Sequence, residues 1–520
     1  MLPDAAHGGD DMTMTLAQHG GLAWAQLFGE LDRSGLALHL QIRRTIVAAV
    51  EDRTLAPDAR LPSTRQLAAL LGVARNTIVA AYEQLTDEGF IVARERSGIF
   101  VAPDCPQARG SVRVAARNAA PAASCGWSAR FAVRPSRLPQ ITKPRDWLAY
   151  PYPFLFGQFD PTLFPTNAWR ESVRAASSAT GINDWAGDLI DGDDPELIAQ
   201  LRLHVLPRRG ILAAADEIMI TIGSQQALSM LAELLVGPGT RAAVEDPCYP
   251  DTRNMLRMRT AQLTGLAVDA HGAVPSGLAD RDVAFLTVGH QCPTTAVMPL
   301  ERRRALLDAA RDGDVVLVED DYEADLGAPG EAGIPSLKGL DTDGRVVYVG
   351  SFSKVLAPGL RLGYVVAPRA VIAELRSLRR LMLRHPPSNN QRAVAMFIAL
   401  GHYRAHLRRM GTVLAERAER VSACLAALMP QCRWRCDPGA TSFWVEGPPG
   451  LDARALTDAA QGAGVLIEPG DIFFADAQAG AHCFRLGFTS IRTDRIESGL
   501  RRLAALLPSA SAPGRLRERA

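Results

Sequence analysis

Lys143, Lys338 and Lys354 are the only lysines in a chain whose 57 basic residues are otherwise arginine. A guanidinium stays protonated and is no practical nucleophile, whereas a desolvated lysine amine can lose its proton and attack a carbonyl carbon. Lys143 lies in a Pro/Arg-rich stretch and Lys338 in the polar run SLKGLDTDG. Lys354 alone sits in an apolar-flanked turn, VVYVGSFSKVLAPGLRLGYVV, which makes it the candidate for Schiff-base chemistry.

An aldehyde cofactor carrying a phosphate and a pyridine nitrogen needs more than an amine. It needs an acid for the ring nitrogen, a hydroxyl near the phenolic oxygen and an aromatic plate. Its phosphate needs hydroxyls, helix-start amides and an arginine. Gly223-Ser224-Gln225 closes the strand-like run EIMITIG and opens a helix. Tyr249 follows the run RAAVED, and Asp320 ends VVLVED with Tyr322 two residues on. In an extended segment, i and i+2 point the same way, so that acid and phenol could meet one ligand. Ser351, Ser353, Lys354 and Arg361 cluster on the next strand-loop segment. Each feature alone has an ordinary explanation as a cap, a packing residue or a loop. Their succession at strand ends points to one site.

These residues need elements to position them. From about 149 onward, apolar strand-like runs alternate with helical stretches, the signature of a mainly parallel sheet covered by helices. From about 370, long helical segments precede TSFWVEG, GVLIEPG and HCFRLGFTS, which suit a smaller α+β subdomain.

A second kind of chemistry is written near the N-terminus. Residues 36–102 read as a helix, a helix-turn-helix and a hairpin, a winged helix-turn-helix. Ser63 with Gln66 matches a capping box, and Gly72 is a natural stop. The groove-entering helix would begin Arg75-Asn76-Thr77, side chains that can read base edges and phosphates. Ser63, Thr64 and Arg65 open the preceding helix, placed for phosphate contact. Gly98 lets the wing backbone approach a duplex, with Arg94 and Arg96 beside it.

Composition sets the bounds. The 520 residues suit two to four domains, and 47% hydrophobic with 22% charged residues is an ordinary globular balance. No apolar run approaches transmembrane length, and the N-terminal residues carry no basic start before an apolar core, so neither a membrane span nor a secretory signal is expected. The eight cysteines form no CxxC pair, which argues against a disulfide scaffold or zinc site and for a reducing cytoplasm. Net charge is +1, but residues 102–148 alone carry +6, where a polyanion could be met. The expected division is a tail 1–35, the winged helix 36–102, a basic linker 103–148, a cofactor-binding domain 149–508 dividing at about 370, and a tail 509–520.

LPSTRQLAALLGVARNTIVAAYEQLTDEGFIVARERSGIFVA resembles the GntR family of winged-helix repressors, which implies binding to double-stranded operator DNA as a dimer. Many members carry Ser or Thr before the arginine of the turn; here it is Ala74. From about 150 to 508 the chain resembles the PLP-dependent transferases of fold type I, with SFSKVLAPGLRLGY matching the lysine motif and EDDY the acid-plus-tyrosine motif. The resemblance implies an α/β fold with a small α+β subdomain and pyridoxal 5'-phosphate (PLP) as cofactor. By it, Lys354 forms the Schiff base, Asp320 pairs with the pyridine nitrogen and Tyr322 with the phenolic oxygen. Ser351, Ser224, Gln225 and Arg361 serve the phosphate, Tyr249 stacks on the ring, and Arg485 grips a substrate α-carboxylate.

Two departures stand out. Cys292 replaces the family's usual asparagine, so that its contact is lost or supplied by Tyr322 or Gln291, and WAGDLIDGDDPELIAQLR is rich in acids. The domain order, with HQCPTT and EDDYEADL, resembles the MocR subgroup of GntR regulators. That implies a homodimer with each winged helix resting on the partner's large domain. It also implies that an amino-compound effector exchanges with Lys354 on PLP. Two alternatives fit the same residues: an active class I aminotransferase with an appended DNA-binding-like domain, and a regulator that senses PLP itself.

Overall fold

A computed structural model describes residues 22–29, 31–33, 35–95, 97–105, 126–323 and 334–508. The chain divides into two compact units, Met1–Arg130 and Phe131–Ala520.

The first unit holds the helices Leu22–Phe28, Leu38–Glu51, Thr64–Leu71 and Arg75–Asp87. A three-stranded antiparallel sheet joins them, in the order Arg60–Leu61, Gly98–Val101, Ile91–Arg94. Ile42, Ile46, Leu67, Ile78, Leu85 and Val101 meet in its core. Each fully buried aliphatic of this kind contributes about 1.5–3 kcal/mol. Ser63 accepts from the Gln66 amide while its own amide donates to Gln66 Oε1 at 2.9 Å, a closed capping box. Gly72 ends that helix in the left-handed region at φ 61°. Ala74 starts the next helix with no side-chain cap, and the Thr77 amide donates to the Ala74 carbonyl at 2.9 Å instead.

The second unit is built on an eight-stranded mixed sheet. In spatial order its strands are Ile218–Thr221, Gly363–Val366, Val346–Ser351, Val316–Asp321, Val283–Leu286, Ala242–Asp246, Leu263–Asp269 and Gly272–Ala273. The five from Val346–Ser351 to Leu263–Asp269 run parallel. Consecutive residues take opposite faces. Val318 and Val347 pack with Leu228 and Leu231 of the helix Gly223–Leu235, while Leu317 and Val346 pack with Leu306 and Ala310 of the helix Leu300–Asp312. Burial on both faces is why these strands read as continuous apolar runs.

A four-stranded antiparallel sheet, ordered Arg433–Arg435, Ser442–Glu446, Cys483–Gly487, Glu468–Pro469, forms the smaller part with the helices His402–Leu428, Ala453–Gly462 and Ile496–Ala504. GVLIEPG is split between sheets: Val465–Leu466 pairs with Tyr152–Pro153, and Glu468–Pro469 pairs with Cys483–Gly487.

Residues 131–148, expected from composition to belong to the linker, fall in the second of the two compact units. Poverty in large aliphatics hid this, because polar contacts and a single aliphatic, Ile141 packed against the Trp444 and Phe473 cluster, hold the segment. Asn254 Nδ2 donates to Pro139 O at 2.7 Å, and Lys143 pairs with Glu468 at 2.9 Å. The acid-rich stretch is also structural. Asp193 pairs with Arg376 and Arg379, Asp194 caps a helix and pairs with Arg392, and Asp188 pairs with Arg384.

Candidate functional site

The parallel strands end on one side, and their loops enclose a cavity of about 260 Å³. Ser224, Gln225, Tyr249, Asp320, Tyr322, Ser351, Ser353, Lys354, Arg361 and Arg485 all line it. Lys143, Phe156, Gly157, Asp251 and Cys292 line it as well.

Lys354 follows the strand Val346–Ser351, in the loop that returns as Gly363–Val366. Its ammonium lies 4.4 Å from the Phe156 ring centroid. Burial first, and Lys143 next, push its pKa down to about 8, against the opposing pull of Glu323. Backbone approach here requires glycine: Gly157 has φ 73°, and a Cβ on it would lie 2.5 Å from Lys354 Nζ.

Asp320 and Asp321 diverge because they sit consecutively at the end of one strand. Asp321 turns inward, accepting from Arg209 Nε at 2.7 Å and from the Tyr348 hydroxyl at 3.1 Å. Asp320 faces the cavity, and its buried Oδ1 has no hydrogen-bond partner among the described residues. Burial, reinforced by the Asp321 charge, raises its pKa to about 7. Ser353 Oγ is likewise buried without a partner among the described residues. Ser351 Oγ accepts from the Ser353 amide at 3.2 Å.

On the opposite wall the helix Gly223–Leu235 points its first turn at the cavity. Gly223 has φ 73°, and a Cβ on it would meet the Arg361 guanidinium at 3.2 Å. Arg361 itself adopts φ 50° and donates to Ile222 O at 3.2 Å. Gln225, Tyr249 and Asp251 form a closed triangle: the Tyr249 hydroxyl donates to Asp251 at 2.9 Å and lies 3.0 Å from Gln225 Oε1, and Gln225 Nε2 donates to Asp251 at 2.8 Å. Sequence reasoning missed Asp251, although it stands only two residues beyond Tyr249.

The Cys292 substitution is resolved in part. Gln291 is committed to the turn, donating to Pro247 O at 2.7 Å and Cys292 O at 2.8 Å. Burial pushes the Cys292 thiol up to about 12, so it stays neutral. The Tyr322 hydroxyl lines the cavity and donates to His290 O at 2.9 Å. Arg485 is the larger surprise. Its guanidinium lies between Phe156 and Phe473, 4.1 and 4.6 Å from their ring centroids. Its Nε and Nη2 both donate to Glu468 Oε2 at 2.7 Å. Although burial pushes the Glu468 carboxyl up, Arg485 and Lys143 hold it below its ordinary value.

The cavity fits a phosphorylated pyridine aldehyde. It offers an amine of lowered pKa, an unmatched buried carboxylate, and a helix start with serine hydroxyls and an arginine.

In the first unit, Arg65, Arg75 and Asn76 are exposed, and Thr77 is half-buried at the start of the helix Arg75–Asp87. Ser63 is exposed and Thr64 half-buried at the preceding helix start. Arg94 is paired with Asp58 and sits 4.8 Å over the Phe100 ring. Gly98 has φ 118°, and the exposed Arg60 guanidinium lies against it, a wing cation that sequence reasoning passed over. Arg96 lies outside the described residues. Among the described residues no helix is long and apolar enough to cross a membrane.

Comparison with known proteins agrees with both halves. Residues 38–101 match the family of bacterial regulatory proteins of the gntR type, and residues 190–503 match class I and II aminotransferases, a PLP-dependent family. The chain is 42% identical over 475 residues to the HTH-type transcriptional regulator TauR of Rhodobacter capsulatus, covering 91% of this chain and 96% of that protein. It is 30% identical over 498 residues to the probable rhizopine catabolism regulatory protein MocR of Rhizobium meliloti, covering 94% and 97%. The α-aminoadipate aminotransferase LysN of Thermus thermophilus, solved with N-(5'-phosphopyridoxyl)-L-leucine, superposes with a TM-score of 0.66 at 28% identity, covering 73% of this chain and 98% of that one. With a GntR winged helix joined to an aminotransferase-like domain along nearly its whole length, the chain belongs to the MocR subgroup of GntR-family transcriptional regulators.

Proposed function

We propose that this regulator holds PLP in the cavity of its second unit and uses it to sense an amino compound, while its winged helix reads operator DNA. The observation that carries the reading is a pair of groups in one cavity: the Lys354 amine, with its lowered pKa, and the unmatched Asp320 carboxylate. When bound, PLP supplies an aldehyde carbon that can exchange one amine for another and a ring that draws electron density from it.

The chain's residues do the rest. Lys354 holds that carbon until an effector amine competes for it. Asp320, ionised, would accept a charge-assisted hydrogen bond from the pyridinium N–H, a cationic partner that offsets its buried charge. Tyr322 serves the phenolic oxygen, and Tyr249, locked by Gln225 and Asp251, offers its ring face. Gly223, Ser224, Gln225, Ser351, Ser353 and Arg361 hold the phosphate at the helix start. On DNA, Arg75, Asn76 and Thr77 read base edges. Ser63, Thr64 and Arg65 hold phosphates, and Arg94, Arg96 and Gly98 form the wing. The functional species is a homodimer, each winged helix resting on the partner's large domain, and effector binding shifts the population that grips DNA.

The test is to titrate the PLP-loaded protein with amines, following its visible absorbance, its affinity for DNA from upstream of its gene, and keto-acid release. An amine that shifts the absorbance and changes DNA affinity without steady keto-acid release supports sensing. Steady keto-acid release with unchanged DNA affinity supports the aminotransferase alternative.

A further inference from the structure

We infer that Lys143 is a specificity residue of the effector site, a second cation that selects an amine carrying an anionic group. The inference rests on the sensing reading above. Lys143 belongs to the segment that opens the second unit, far in sequence from every motif residue, yet it lines the same cavity as Lys354. A single point fixes their proximity: a Cβ on Gly157 would lie 2.5 Å from Lys354 Nζ and 3.8 Å from Lys143 Nζ. An amine that displaces Lys354 therefore brings its own substituent within reach of Lys143.

Around that point Lys354 meets Lys143 and Arg485 as cations and Glu323 and Glu468 as carboxylates. Lys143 Nζ lies 2.9 Å from Glu468 Oε1, while Arg485 holds the other oxygen of the same carboxylate at 2.7 Å. One buried carboxylate thus serves two cations. Glu468 and Arg485 side chains are each 2% exposed, whereas Lys143 keeps 22%. The guanidinium is sandwiched by Phe156 and Phe473 and has its Nε and Nη2 on Glu468, so it is poorly placed to offer that edge to an incoming anion. Lys143 is the more open cation. Its ammonium donates to Phe156 O and pairs with Glu468, and three donors on a flexible stem allow it to add a further acceptor. An anionic substituent on the effector gives Lys143 a second counter-charge beside the Glu468 carboxylate that it shares with Arg485. An uncharged substituent of the same size leaves Lys143 and Arg485 sharing that one carboxylate and adds no such attraction.

The experiment compares ligands that differ only in carboxylate against methyl: glycine, β-alanine and 4-aminobutanoate against ethylamine, n-propylamine and n-butylamine. PLP-loaded wild type, Lys143→Gln and Lys143→Arg are titrated by absorbance, with thermal melting and PLP content as controls. Wild type should bind at least one amino carboxylate tenfold or more tightly than its matched alkylamine. Lys143→Gln should lose most of that preference while keeping alkylamine affinity, and Lys143→Arg should retain the larger part. Equal binding of carboxylate and alkylamine by wild type overturns the inference. So does an undiminished preference in Lys143→Gln, or an equal loss of both ligand classes, which marks a merely structural role. If no amine shifts the wild-type absorbance, the sensing reading fails first and this inference falls with it.

Discussion

Asp321 is held by Arg209 at 2.6 and 2.7 Å, while its neighbour Asp320 turns into the cavity with Oδ1 unpaired among the described residues. Adjacent carboxylates thus have separable consequences. Asp320→Asn should weaken PLP retention about ten- to hundredfold, the loss of a charge-assisted hydrogen bond of about 1.5–3 kcal/mol. Asp321→Asn should instead destabilise the fold, since breaking a buried pair costs about 3–5 kcal/mol. Equilibrium dialysis of PLP and thermal melting of the apo-protein separate the two; equal effects would contradict the assignment.

Asp320 also makes a pH prediction. Its folded pKa is about 7 against an ordinary 3.8, so the folded apo-protein binds the extra proton between those values. Stability contributed by that proton is present at low pH and is lost as pH rises toward 7. Asp320→Asn should remove this dependence and melt higher than wild-type apo-protein above pH 7. Parallel pH–melting curves for the two would count against it.

Lys354, with a pKa lowered to about 8, is nucleophilic only when neutral. The rate at which apo-protein takes up PLP should rise about tenfold per pH unit below that value and level off above it. A rate indifferent to pH would show that another step governs uptake.

Asp251 locks Tyr249 and Gln225 at 2.9 and 2.8 Å. Removing it by Asp251→Ala leaves only the Tyr249–Gln225 contact of the triangle, and at about 0.5–1.5 kcal/mol per hydrogen bond PLP affinity should fall about two- to tenfold. Fluorescence titration of apo-protein with PLP checks this; unchanged affinity would make the triangle irrelevant to the cofactor.

Arg75 is exposed at the first turn of its helix. Arg75→Ala should cost about 1–3 kcal/mol of discrimination on operator DNA and leave PLP absorbance untouched. Anisotropy titrations at fixed salt would reveal it, and unaltered operator binding would argue against this docking.

What could be read in the sequence was local. The Ser63–Gln66 capping box needs only a three-residue spacing, and Asp320 and Tyr322 share a side because extended chain alternates. Lys354 could be singled out because lysine is rare here and its flanks are apolar. What escaped was long-range. Glu468 meets Arg485 only because two short strands pair in that register. Lys143 reaches the cavity by polar contacts that composition does not record. The acids at 188–194 showed in the sequence only as an acid-rich stretch, because their arginine partners lie far along the chain at 376–392.

With three lysines in the chain, the central claim has a direct measurement. PLP-loaded protein is reduced with borohydride, digested and mapped by mass spectrometry. The account predicts the phosphopyridoxyl mass on Lys354 alone, and its absence from Lys354→Ala protein. Label on Lys143 or Lys338, or no label on any lysine, would contradict it.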